Sequence, residues 1–159
     1  MTAWRRYAWV AILVADLGML AWSAMAALAP DHLLGPGSAP ILAAGYESFT
    51  RGSWGTLAQG PHNAAEFMTL LFRTYGAYGA AFSVLALAIA VTAFRRGEAW
   101  AWWALLIGNT ITFVAAMAYD RITGAIGLFE LSEYLGLALI YAALVVTAPF
   151  GRSAPSSGH

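Results

Sequence analysis

Phe67–Phe94 reads FMTLLFRTYGAYGAAFSVLALAIAVTAF, 28 residues in which Arg73 is the single charge. As a helix this run reaches about 42 Å, more than the ~30 Å thickness of a hydrocarbon core. Three further stretches have the same character: Tyr7–Ala29, Trp100–Tyr119 and Leu128–Phe150. Each holds about 20 residues or more, the length a membrane-crossing helix needs. The pattern predicts an all-α protein, a four-helix transmembrane bundle. A long, partly helical extracytoplasmic loop should join helices one and two. Residues 1–150 read as a single four-span domain, and Gly151–His159, rich in Ser, Pro and Gly, reads as a disordered tail.

Composition points the same way. Hydrophobic residues make up 60% and charged residues 10%, a shift that lipid demands because a charge in hydrocarbon costs several kcal/mol. All eight cations are arginines, and the formal net charge is +0. Nucleic-acid binding needs a basic patch, so no nucleic-acid partner is expected. With no cysteine, disulfides, thiolate chemistry and Cys-ligated metals are excluded.

The arginines set an orientation. Arg5, Arg6, Arg95, Arg96 and Arg152 fall on one side of a four-span chain, opposed by Glu98 alone. Arg51, Arg73 and Arg121 fall on the other, with Asp31, Glu47, Glu66, Asp120, Glu130 and Glu133. The positive-inside rule places both termini in the cytoplasm of a multi-pass cell-membrane protein, with Trp100, Trp102 and Trp103 as an inner aromatic anchor. Arg5-Arg6 followed by an apolar run and small residues also fits a secretory signal peptide. Against that reading, the run is long and Asp16 stands in its middle.

Residues 30–62 form the long connection, punctuated by Pro30, Pro36, Pro40 and Pro61. Ile41, Tyr46, Phe49 and Trp54 are too apolar to leave in water, so one or two short helices are expected over 41–58, with Ser53 as an N-cap.

Residues about seven apart share a helix face. In the second span this selects Glu66, Thr69, Arg73, Gly76, Ala80 and Ser83 as the inward stripe, leaving Phe67, Leu70, Leu71, Phe72 and Phe82 to lipid. The same spacing selects Asp16, Met19, Ser23 and Ala26 in the first span, and Asn109, Thr112, Ala116 and Tyr119 in the third. In the fourth it selects Glu130, Glu133, Leu137 and Ile140. Asp16 and Asn109 then lie near the midplane, where Asp16 should be protonated or bonded to Asn109 or a hydroxyl. Arg73, Asp120, Arg121, Glu130 and Glu133 form an outer shelf. An inward arginine needs a partner; Arg73–Glu133 is the expected pair, with Asp120 or Glu130 as alternates. Solvated helix ends are the plain alternative for Asp120, Arg121 and Glu130. His62 and Glu66, one turn apart, fit an acid–base couple, half a metal site or a capping pair.

The segment Phe94-Arg95-Arg96-Gly97-Glu98-Ala99-Trp100-Ala101-Trp102, with the four-span layout, resembles small bacterial DoxX-like membrane proteins. Separately, His62-x-x-x-Glu66, with acids at Glu130 and Glu133, is similar to the sterol isomerase (emopamil-binding) family. That second resemblance implies proton transfer on a bound lipid-like ring, with His62, Glu66 and Glu133 as catalytic candidates.

Taken from the residues, the leading function is binding of a small apolar or amphipathic ligand, or of a partner membrane subunit, at the extracytoplasmic end. The candidate ligand-binding residues are Arg73, Asp120, Glu130, Glu133, Tyr119 and Trp54, and membrane lipid is the surrounding partner. The alternatives are a membrane enzyme with isomerase- or cyclase-like chemistry and a purely structural membrane subunit. No cofactor is implied, and no metal site is assigned.

Overall fold

The computed structural model describes residues 3–35, 39–61, 63–124 and 128–149, with side chains described from residue 6 onward and, in the last segment, from 131. The secondary structure of these residues is all helical, with no strand among them. Helix α1 runs Ala3–Leu28, followed by a 3-10 turn at Pro30–His32. Two short helices come next, α2 (Ile41–Thr50) and α3 (Trp54–Ala58). Helix α4 (Ala64–Ile89) ends in a π turn at Ala90–Phe94, and α5 (Ala99–Thr123) and α6 (Leu128–Thr147) complete the chain.

Among the described residues, three stretches are long and apolar enough to cross a membrane: Arg6–Leu28, Ala64–Phe94 and Ala99–Thr123. In α6 the described apolar stretch is shorter, Leu131–Thr147. Turn chemistry sets the ends. Pro30 stops α1, since proline has no amide proton to continue the ladder. Asn63 precedes α4 at φ 49, a left-handed conformation that asparagine tolerates better than most residues. Gly124 closes α5 at φ 69, its N–H donating to the Asp120 carbonyl at 2.8 Å, a left-handed cap suited to glycine.

Helix α1 lies along α4 and, on another side, along α6; α5 packs against α6 and α4. The α1–α4 contact is the closest. A Cβ placed on Gly76 would stand 2.6 Å from the Ala27 nitrogen and 2.8 Å from both the Ala26 Cβ and the Ser23 carbonyl oxygen. A Cβ on Gly79 would stand 2.5 Å from Ser23 Oγ. Small residues are what let two backbones approach this closely, and in lipid such packing substitutes for hydrophobic driving force.

The far end of the core holds Ile12, Ala90, Leu105, Ile140 and Leu144. Trp102 belongs to it, being buried and donating its indole N–H to the Leu144 carbonyl at 2.7 Å. It is therefore a core residue and not part of an interfacial anchor, whereas Trp100 and Trp103 are exposed. Arg95 stacks over the Trp9 ring at 5.0 Å. The start of α1, the α4–α5 turn and the end of α6 thus share one end of the molecule.

At the opposite end, α2 and α3 lie over the helices. Helix α2 contacts α5, with the Tyr119 hydroxyl against Gly45, and α3 contacts α4. The Trp54 N–H donates to Glu47 Oε1 at 2.8 Å, and the Thr56 N–H reaches Ser53 Oγ at 3.4 Å. Ser53 thus caps α3. Tyr46 and Trp54 are half-buried against each other, while Phe49 is exposed.

Candidate functional site

Beneath α2 lies a cavity of about 460 Å³ between the ends of α1, α4, α5 and α6. Ile41 and Leu42 of α2 roof it. Helix α4 contributes Met68, Leu71, Phe72 and Tyr75; α5 contributes Ala115, Ala116, Tyr119 and Asp120. Trp22 of α1 and Glu133 of α6 close its sides. The Trp22 ring meets Phe72 and Tyr75 edge to face, each at a centroid separation of 6.0 Å, the geometry that aromatic quadrupoles favour. The walls are mostly hydrocarbon and aromatic ring, with two carboxyl groups and, among the described residues, no basic side chain. Asp120 is buried and Glu133 half-buried.

A second hollow of about 360 Å³ runs between α1 and α6. Val14, Ala15, Gly18 and Met19 line one side, and Ser132, Leu135, Gly136 and Leu139 the other, with Phe113 behind. It shares Trp22 and Glu133 with the roofed cavity, so the two spaces meet at these two side chains. Its lips, Val14, Leu135 and Leu139, are exposed.

Arg73 is elsewhere. It is exposed and lines a separate groove with Asn63, Glu66, Phe67, Thr69 and Leu70. The expected Arg73–Glu133 pair does not form, for two geometric reasons. Arg73 is three residues from the buried Gly76, about 60° around the helix. In addition α1 ends at Leu28, just beyond the Gly76 contact, so the first turns of α4 have the 3-10 turn and α3 beside them instead of α1. The face of α4 that lines the cavity there is Met68, Leu71, Phe72 and Tyr75, of which Leu71 and Tyr75 remain partly open; Leu71 and Phe72 were read from sequence as lipid-facing.

Of the candidate ligand residues, the structure brings together Tyr119, Asp120 and Glu133. Trp54 packs on Tyr46 outside the cavity. His62 and the side chain of Glu130 lie outside the described residues, as does the tail 151–159. Glu66 and Glu133 line different spaces, so the acid–base set of the sterol-isomerase likeness is not gathered at one point. Trp22, Met68 and Tyr75 were not singled out by sequence. Nothing in their spacing separates them from lipid-facing neighbours, because apolar side chains suit both environments.

Halfway along the helices sits a polar layer. From the Ser23–Gly76 contact, seven residues along each antiparallel helix, about 10 Å, bring Asp16 and Ser83 to one level. Gly108 against the Phe82 ring places Asn109 near that level too. All three residues are fully buried, and Asp16 Oδ2, Ser83 Oγ and Asn109 Oδ1 have no hydrogen-bond partner among the described residues. Asn109 donates to the Leu105 carbonyl at 3.0 Å, so the expected Asp16–Asn109 bond is not made.

At the other end, Arg96 and Glu98 form an ion pair, the shortest N–O distance being 2.7 Å, and the Trp100 indole also donates to Glu98. The Arg96 hydrogen bond, followed by that of Trp100, holds the Glu98 carboxyl below the usual glutamate range.

Comparison of the chain with protein-family models, with curated proteins and with solved structures finds no match.

Proposed function

We propose that this is a four-span membrane protein, both termini cytoplasmic, that binds a small apolar or amphipathic molecule at its extracytoplasmic end. One observation carries the reading. The cavity under α2 is within the size range of small-molecule sites, and it combines an apolar lining with two carboxyl groups. A structural subunit has no use for such a space, since close packing would fill it. The fourth crossing rests on α6, whose 20 residues reach about 30 Å. The side of the membrane rests on the arginines gathered at the far end.

The test is native mass spectrometry of the protein released gently from membranes, compared with an Ala115→Phe variant. Ala115 is an exposed wall residue of the cavity, so the added ring fills space without cutting into the core. A co-purifying small molecule that is lost in the variant is the expected result. Identical spectra for both proteins, with no adduct in either, would overturn the reading.

A further inference from the structure

The two hollows adjoin but differ in chemistry, and this difference narrows what the site would take. The roofed cavity carries the charge: Asp120 and Glu133 face a space ringed by Trp22, Tyr75 and Tyr119. The α1–α6 groove, apart from Ser132 and the shared Trp22 and Glu133, is lined by apolar side chains and glycine, and its lips, Val14, Leu135 and Leu139, are exposed. Among the described residues, neither space has an arginine or histidine on its walls. Carboxylates beside aromatic rings attract an organic cation twice over, through the opposite charge and through the negative ring faces. The same walls leave an anionic head without a counter-charge, at a high desolvation cost.

Resting on the binding reading above, we propose that the ligand is a single-chain lipophilic ammonium. Its head lies between Asp120 and Glu133 in the roofed cavity, and its hydrocarbon chain lies in the α1–α6 groove, past Trp22. The occupant follows from charge complementarity at one end and, at the other, from the adjacency of the two hollows, which meet at Trp22 and Glu133. The groove opens sideways, so the ligand reaches the site from the bilayer and not from water.

Gly18 makes the idea testable. A Cβ added there meets nothing within 4 Å, so a larger side chain projects into the groove without pressing on the backbone. The protein is placed in phosphatidylcholine nanodiscs, and binding is measured against empty nanodiscs for dodecyltrimethylammonium, butyltrimethylammonium, dodecyl sulfate and dodecanol. The dodecyl ammonium should bind at least about tenfold more tightly than the sulfate or the alcohol, and Glu133→Gln, which removes a charge and keeps the shape, should remove most of that preference. Gly18→Phe should weaken dodecyltrimethylammonium about tenfold and leave the butyl compound unchanged. Gly18→Leu should give a smaller loss in the same direction, and unfolding midpoints equal to the parent protein show that both variants are folded. Equal binding of sulfate and ammonium would overturn the head assignment. An unchanged dodecyl affinity in both Gly18 variants would overturn the chain assignment. In either case the cavity remains a binding site. Failure of every amphiphile to bind would instead remove the reading beneath it.

Discussion

Single glycines decide how closely this molecule can pack, and they do not all do the same job. Gly76 sits where a methyl group would press on the α1 backbone itself, which cannot rotate away. Gly76→Ala should therefore force α1 and α4 apart and lower stability by about 1–3 kcal/mol, read from reversible unfolding in mild detergent. Gly18→Ala has open space around it and gains helix propensity, so it should raise stability by up to ~1 kcal/mol. Equal effects at the two sites would show that the α1–α4 contact is looser than described. Ser23, Ala26, Gly76 and Ser83 were legible in the sequence as inward residues, because small side chains spaced by helical turns signal close approach in membranes. Arg73 was misread inward. Its placement depends on where the neighbouring helix ends, and no periodicity within α4 carries that information. Asp16 and Asn109 were legible as a buried level, but not their hydrogen bonds, which depend on distances across the core.

At the scale of elements, the segment between α1 and α4 shows how caps define short helices. Helix α3 has five residues, too few to be stable alone. It holds because Ser53 caps its start and Glu47 of α2 accepts from the Trp54 N–H. Ser53→Ala should cost about 1 kcal/mol locally, seen as faster amide exchange over Trp54–Gln59 with little change in α4. Unchanged exchange would mean that packing alone holds α3. The cap was readable from Ser53 before a short apolar run; the lengths of α2 and α3 were not, since Pro and Gly mark breaks without saying what lies between them. The α4–α5 turn gives a pH test. The Glu98 carboxyl is depressed in the folded protein by Arg96 and Trp100. Its contribution is therefore complete above the ordinary glutamate range and is lost as pH falls through the lower folded-state value. Trp100 fluorescence should change over that acidic window in the parent protein and stay flat in Glu98→Gln. A transition of the same size in both would place its origin elsewhere.

For the whole molecule, the question is how many times the chain crosses. With four crossings, Gln59 and Ala99 lie on opposite faces of the membrane and the two termini on the same face. Cysteines at these two positions, otherwise absent from the chain, should react with impermeant reagents from opposite sides, Gln59→Cys from outside. Tags at the two ends should be reached from one side only, the inside. Termini on opposite sides would leave α6 lying along the surface. The three longest apolar helices were plain from hydropathy because lipid imposes its requirement on every residue of a span. The cavity was not plain, because a hollow is a property of four helices at once. The interlock of α1 with α4 carries a last consequence. Two helices whose backbones touch through Gly76 and Ser23 cannot slide or tilt separately without a clash, so they move as a single rigid body. Any widening of the α1–α6 crevice must then come from α6 swinging away, with the α1–α4 pair as the fixed doorpost and α6 as the door.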